Sequence, residues 1–117
     1  MKRSLRLLRS VLPSSRRQWV DVGGVDEFPV ESVRCVQVRG TKVAVFHTED
    51  GLAAIADVCP HLGGSLSEGV LHGDGFVQCA EYDVRFSLRD GACPGNPMYN
   101  GRVYPARAWR GRVQLQA

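Results

Sequence analysis

Cys59, His61 and Cys79 are the residues whose types and spacing could do chemistry. The stretch Cys59-Pro60-His61-Leu62-Gly63-Gly64-Ser65-Leu66 sets a thiol and an imidazole on either side of one proline, at the head of a glycine-bearing loop. Seventeen residues separate His61 from Cys79, which opens a second stretch, Cys79-Ala80-Glu81-Tyr82-Asp83-Val84-Arg85-Phe86. Soft thiolates with an imidazole suit zinc or an iron–sulfur centre. Gly63 and Gly64 are loop formers in any case, and they also let backbone N–H groups approach bound sulfides. The plainer role, a buried small hydrophobe, suits Cys35 and Cys93 but not Cys59, whose neighbours are loop chemistry.

The elements that must position these residues are short strands. Trp19–Val22 is a first strand ended by Gly23-Gly24, and Glu27-Phe28-Pro29 is a turn, because proline gives the ladder no donor. Val33–Val38 alternates apolar and polar, Arg39-Gly40-Thr41 turns the chain, and Lys42–Phe46 returns as its hairpin partner. Leu52–Ala56 is a strand that delivers Cys59 to the first loop. Gly69–Leu71 and Phe76–Gln78 form a hairpin around His72-Gly73-Asp74-Gly75, and its second arm delivers Cys79. Arg102–Tyr104 and Val113–Leu115 close the structure, with Arg110-Gly111 as a turn. The expected fold is all-β, an antiparallel sandwich or small barrel with two ligand loops at one tip. His47 reads as a solvated turn residue, His72 as a hairpin residue away from Cys79, and Trp19 and Trp109 as core or rim aromatics.

With 117 residues the chain makes one domain with a modest core. No apolar run reaches the eighteen or so residues that suggest a membrane span. No secretory h-region is present, so cysteine beside histidine favours metal over disulfides and the cytoplasm as location. Residues 1–17 hold six basic side chains and no acid, for +6; residues 18–117 carry −3, together giving the net +3. An acidic body argues against nucleic acid as the partner of the folded part. The tail, with Leu5, Leu8 and Leu12 at helical spacing, reads as a disordered extension; a transit peptide, a surface-binding helix or a tail for an acidic partner are the alternatives. The expected division is thus a basic extension, 1–17, and a folded domain, 18–117.

From about Trp19 to the C-terminus the chain resembles the Rieske [2Fe-2S] family, whose pattern is C-x-H, fifteen to seventeen residues, then C-x-x-H. The first box is matched closely, Cys59-x-His61 with Leu-Gly-Gly-Ser-Leu; the second is matched in Cys79, Phe86 and the following Asp90-Gly91. The resemblance implies an iron held by Cys59 and Cys79 and a second iron held by His61 and the residue at position 82. Here that residue is Tyr82, with Asp83 where glycine is usual. A family histidine binds through Nδ1, near its own Cβ, whereas a phenol oxygen lies at the far end of the ring and must lose a proton with an ordinary pKa of about 10. Three outcomes stay open: a shifted loop with Tyr82 as ligand, another ligand such as Cys93 or solvent, or no cluster. Asn96-Pro97 resembles the proline-bearing loop that covers the cluster, which makes Pro97 a lining residue; a surface turn is the alternative.

The resemblance also has a bearing on redox potential. High-potential members place a serine and a tyrosine at the positions of Val84 and Phe86, donating hydrogen bonds to sulfur. Neither residue here can donate, so a cluster in this chain would sit at lower potential, as in the soluble ferredoxins that feed ring-hydroxylating oxygenases. The implied function is a one-electron carrier between a reductase and a terminal oxygenase, itself catalysing nothing. The alternatives are a cluster-less binding subunit like the small subunit of assimilatory nitrite reductase, and a structural zinc site using Cys59, His61, Cys79 and a fourth group.

Overall fold

The computed structural model of the chain describes residues 17–60, 63–81 and 83–117; segment 1–16 and the predicted ligands His61 and Tyr82 lie outside the described residues. The described residues form ten strands: β1 (Trp19–Gly24), β2 (Ser32–Val38), β3 (Thr41–Thr48), β4 (Gly51–Ala56), β5 (Val70–Leu71), β6 (Phe76–Gln78), β7 (Arg85–Ser87), β8 (Val103–Tyr104), β9 (Ala106–Trp109) and β10 (Arg112–Gln116). Three short 3-10 turns, at Val25–Glu27, Leu66–Glu68 and Pro97–Tyr99, are the only helical pieces among them. The strands pair antiparallel in three sheets, ordered β1-β10-β9, β2-β3-β4-β8 and β5-β6-β7. The all-β antiparallel fold expected from the glycine-punctuated strands is present.

The four-stranded sheet is the middle layer, and β3 shows why. Val43, Ala44, Val45 and Phe46 are all buried. Successive strand residues face opposite sides, so four buried in a row require cover on both faces. Val43 and Val45 join Phe28, Ala54, Tyr104, Val113 and Leu115 in one core, against the β1-β10-β9 sheet. Ala44 and Phe46 join Ile55, Leu66, Val77, Phe86 and the cysteines 59, 79 and 93 in the other. The second core is the floor under both ligand loops.

Several local expectations are corrected. His47 is not a solvated turn residue: β3 runs on to Thr48, and His47 Nδ1 lies 2.6 Å from the Phe28 carbonyl oxygen, which obliges that nitrogen to carry the proton. The Glu31 N–H donates to the His47 carbonyl at 2.6 Å, so this one residue pins the β1–β2 connection. Cys35 is exposed rather than buried, because β2 is an edge strand whose outer positions see water. Strands β7 and β9 went unforeseen; three or four residues containing arginine and alanine show too little alternation to read. β1 reaches Gly24 through a register shift between Asp21 and Gly23, where Gly23 takes φ +145 and its N–H is held by Asp21 Oδ1 at 3.0 Å. Trp19 and Trp109 are rim aromatics, with the Arg107 guanidinium over both rings at 4.0 and 4.9 Å from their centroids.

Candidate metal centre

β4 ends at Ala56, tied to the Arg102 carbonyl, and three residues later Cys59 is 1% exposed. The first loop closes on Cys59 twice: its N–H donates to the Gly64 carbonyl at 2.6 Å, and its carbonyl accepts from the Gly63 N–H at 2.7 Å. Gly63 sits at φ +82, a conformation open to glycine and costly for other residues. Leu66, fully buried at the head of its 3-10 turn, anchors the exit of the loop in the second core.

β6 and β7 pair Val77 with Phe86, both fully buried, and the second loop spans the gap between these strands. Cys79, 2% exposed, opens it, and the Cys79 N–H donates to the Val84 carbonyl at 2.9 Å to close it. Val84 packs half-buried on the second core, and Phe86 lies within it. Both sit beneath the loops, and neither has a side-chain donor to offer sulfur.

The loops meet. A Cβ built on Gly64 would stand 3.5 Å from Cys79 Sγ and 4.0 Å from Glu81 Cδ, so bare backbone of the first loop faces the sulfur of the second. No disulfide joins any of the four cysteines. Two buried thiols from different loops, with glycine rather than a side chain against one sulfur, fit thiolate ligation of an iron. Among the described residues no three His, Cys, Asp or Glu side chains gather closely enough to hold an ion, so Cys93, though buried in the same core, does not join Cys59 and Cys79 as a third ligand. The expected ligands His61 and Tyr82 lie outside the described residues.

The segment after β7 folds back over the same core. Gly91 donates to the Ser87 carbonyl and Gly101 to the Gly91 carbonyl, each at 2.7 Å, and the Asn96 N–H closes a turn on the Cys93 carbonyl. Pro97 begins a 3-10 turn and is exposed; the residue of this loop that packs on the core is Tyr99. His72 Nε2 is bonded to Gln78 Oε1 at 2.8 Å. A cavity of about 640 Å³ between the β3–β4 and β5–β6 turns is lined by Asp50, Asp74 and Arg89 among others, and neither Cys59 nor Cys79 borders it. The residue that the sequence reading overlooked is Asp57, which bridges the two ends of the first loop. Its only signal was its place two positions before Cys59, with serines on either side of Leu66.

Among known proteins, the Rieske-like [2Fe-2S] domain pattern matches residues 18–116. The anthranilate 1,2-dioxygenase ferredoxin subunit of Burkholderia cepacia is 37% identical over 100 residues, covering 84% of this chain and 91% of that one. The nitrite reductase (NADH) small subunit of Escherichia coli K12 is 30% identical over 105 residues, covering 85% and 97%. A chain in the complex of reduced oxygenase and oxidized ferredoxin of carbazole 1,9a-dioxygenase superposes with a TM-score of 0.73 at 26% identity, covering 83% of this chain and 91% of that one. No helix among the described residues is long and apolar enough to cross a membrane.

Proposed function

We propose, from the premise that the chain belongs to the Rieske-like [2Fe-2S] domain family, that it is a ferredoxin-type one-electron carrier passing electrons from a reductase to a terminal oxygenase. The observation that carries this is the meeting of the two loops: Cys59 and Cys79 buried over one core, with Gly64 backbone against Cys79 Sγ. Cys59 and Cys79 would hold one iron of the cluster, and His61 would hold the other. A bound [2Fe-2S] cluster supplies a place for one electron to arrive and leave. The chain's own residues fix two thiols, exclude water beneath them with Phe86, Leu66 and Val77, and place at 84 and 86 side chains, valine and phenylalanine, that have no donor to offer. That last feature favours a low potential, since hydrogen bonds to sulfur stabilise the reduced state.

Tyr82 makes the fourth ligand the distinctive part of the site. A phenolate differs from imidazole in reach and charge, so a cluster held here would be atypical, its histidine-side iron holding one nitrogen rather than two. The second reading, a cluster-less subunit that uses the fold to bind an oxidoreductase partner, draws on the same tyrosine and on the likeness to nitrite reductase small subunits. Iron and acid-labile sulfide analysis of the purified chain, with electron paramagnetic resonance after reduction, tests the proposal. Two irons and two sulfides per chain with a rhombic reduced signal support the carrier; an iron-free, colourless protein supports the binding subunit; zinc in their place supports neither. The cytoplasm is the proposed location. The folded unit is taken as 18–117, with 1–17 an extension; deleting residues 1–15 should leave the melting temperature nearly unchanged.

A further inference from the structure

The first loop leaves β4 after Ala56 and rejoins the core at the 3-10 turn Leu66–Glu68. One side chain spans the two ends. The Asp57 carboxylate accepts from the Ser67 backbone N–H at 2.6 Å, from Ser67 Oγ at 2.7 Å and from Ser65 Oγ at 2.9 Å. The Asp57 N–H meanwhile donates to the Lys42 carbonyl at 2.9 Å, so its backbone is fixed to β3 while its side chain holds the far end of the loop. Charge-assisted bonds of this kind are short and directional.

The consequence lies between the ends. Cys59 is two residues inside the closure on one side, and Gly64 is one residue inside Ser65 on the other. These two are themselves joined through the Cys59 N–H and the Gly64 carbonyl. Both ends of the loop are thus tied to one carboxylate, and Gly64 stands against Cys79 Sγ.

We infer that Asp57 is the positioning residue of the centre: its bridge to Ser65 and Ser67 sets where Cys59 and Gly64 stand relative to Cys79. What the loop holds rests on the electron-carrier reading; the bridge itself rests on geometry alone. Asp57 is not assigned as a ligand, since its oxygens are taken by Ser65 and Ser67.

Amide hydrogen exchange on the full chain as purified, followed by mass spectrometry, compares a peptide over 57–68 with one over 43–56. Asp57→Ala is expected to speed exchange in the loop peptide about tenfold or more while leaving the β3–β4 peptide unchanged. Asp57→Asn, whose amide oxygen still accepts from the Ser67 N–H, should recover most of that protection. In iron-loaded protein the reduced-state resonance should broaden in the alanine variant and sharpen again in the asparagine one. Unchanged loop exchange in Asp57→Ala overturns the inference, and so does equal acceleration of both peptides, which would mark an ordinary contribution to stability. If Asp57→Ala does not fold, the double variant Ser65→Ala with Ser67→Ala keeps the carboxylate and removes two donors; acceleration confined to the loop supports the inference, and none overturns it. An iron-free wild type with loop-confined acceleration in Asp57→Ala would sink the carrier reading and leave the positioning role standing.

Discussion

Gly64 presents bare backbone to Cys79 Sγ, with 3.5 Å from the sulfur to where a Cβ would stand. That is ordinary van der Waals contact, so Gly64→Ala should fold with stability within about 0.5 kcal/mol of the wild type. The added methyl would nevertheless occupy space beside a sulfur that must face iron. Iron content should fall or the resonance of the reduced protein should change, while the melting temperature stays put. Gly91→Ala is the contrasting case. Its Cβ would run into the Gly101 carbonyl, and its φ of +81 disfavours any side chain. A loss of roughly 2–4 kcal/mol, read from urea unfolding, is expected there. Full iron and an unaltered spectrum in Gly64→Ala would show that this approach is not at the metal.

A second expectation concerns acid stability. Asp21 accepts from Arg112 Nε at 2.8 Å and Nη2 at 2.9 Å, joining β1 to β10. The Arg112 guanidinium, chiefly by hydrogen bonding, with help from the Gly23 N–H, holds the Asp21 carboxyl below its ordinary value of 3.8. A depressed folded-state pKa means that the contribution is present above the unfolded value and is lost as pH falls through the folded one. Asp21→Asn should therefore lower the melting temperature at neutral pH by no more than about two degrees, since the pair is open to water. The two proteins should converge as the pH falls below 3.8 and through the folded-state pKa. A gap that persists in acid would mean that the effect comes from the bulge at Gly23 and not from charge.

Much of the site's framework was legible because its signals are local. Cys59 and Cys79 each follow a short apolar run opened by a glycine turn, and Gly63, Gly64 and Pro60 are loop formers wherever they occur. What escaped the sequence is set by distant parts of the chain. His47 becomes a strand residue because the Phe28 carbonyl and the Glu31 N–H, far off in sequence, take up its polar groups. Cys35 is exposed because β2 lies at an edge, and edge position is a property of sheet order that alternation within one strand does not encode. Asp57 looked like an ordinary acidic residue before a loop; its partners lie eight and ten residues on.

Replacing Tyr82 tests the proposed fourth ligand. Tyr82→His, with Asp83→Gly to restore the usual loop, should yield a red-brown protein with a stable two-histidine cluster. The wild type should hold iron less tightly, or give a spectrum unlike a two-histidine centre. A double variant that stays colourless after reconstitution with iron and sulfide would favour the binding-subunit reading. An ordinary Rieske spectrum from the wild type would show that another residue supplies the nitrogen.

The last expectation is electrostatic. Glu68, Asp74, Glu81 and Asp83 lie near the two loops in sequence, but their places in the fold differ. Asp74 precedes β6 while Cys79 follows it, and Asp74 is paired with Arg85 at 3.8 Å, which offsets its charge. Glu68 lines a cavity of about 510 Å³ that it shares with Lys42 and Cys35. Glu81 and Asp83, both exposed, remain in the second loop: Glu81 reaches toward Gly64, and Asp83 accepts from Gln78 Nε2 at 3.2 Å. A redox partner docking over the loops should therefore present a basic face to these two carboxylates, and its association should slow as salt rises. Reversing both, Glu81→Lys with Asp83→Lys, should cut the association rate with the reductase or oxygenase about tenfold at low ionic strength and much less at high. Stopped-flow electron transfer at two salt concentrations measures both effects. A rate indifferent to salt and to the double reversal would move the docking face elsewhere on the molecule.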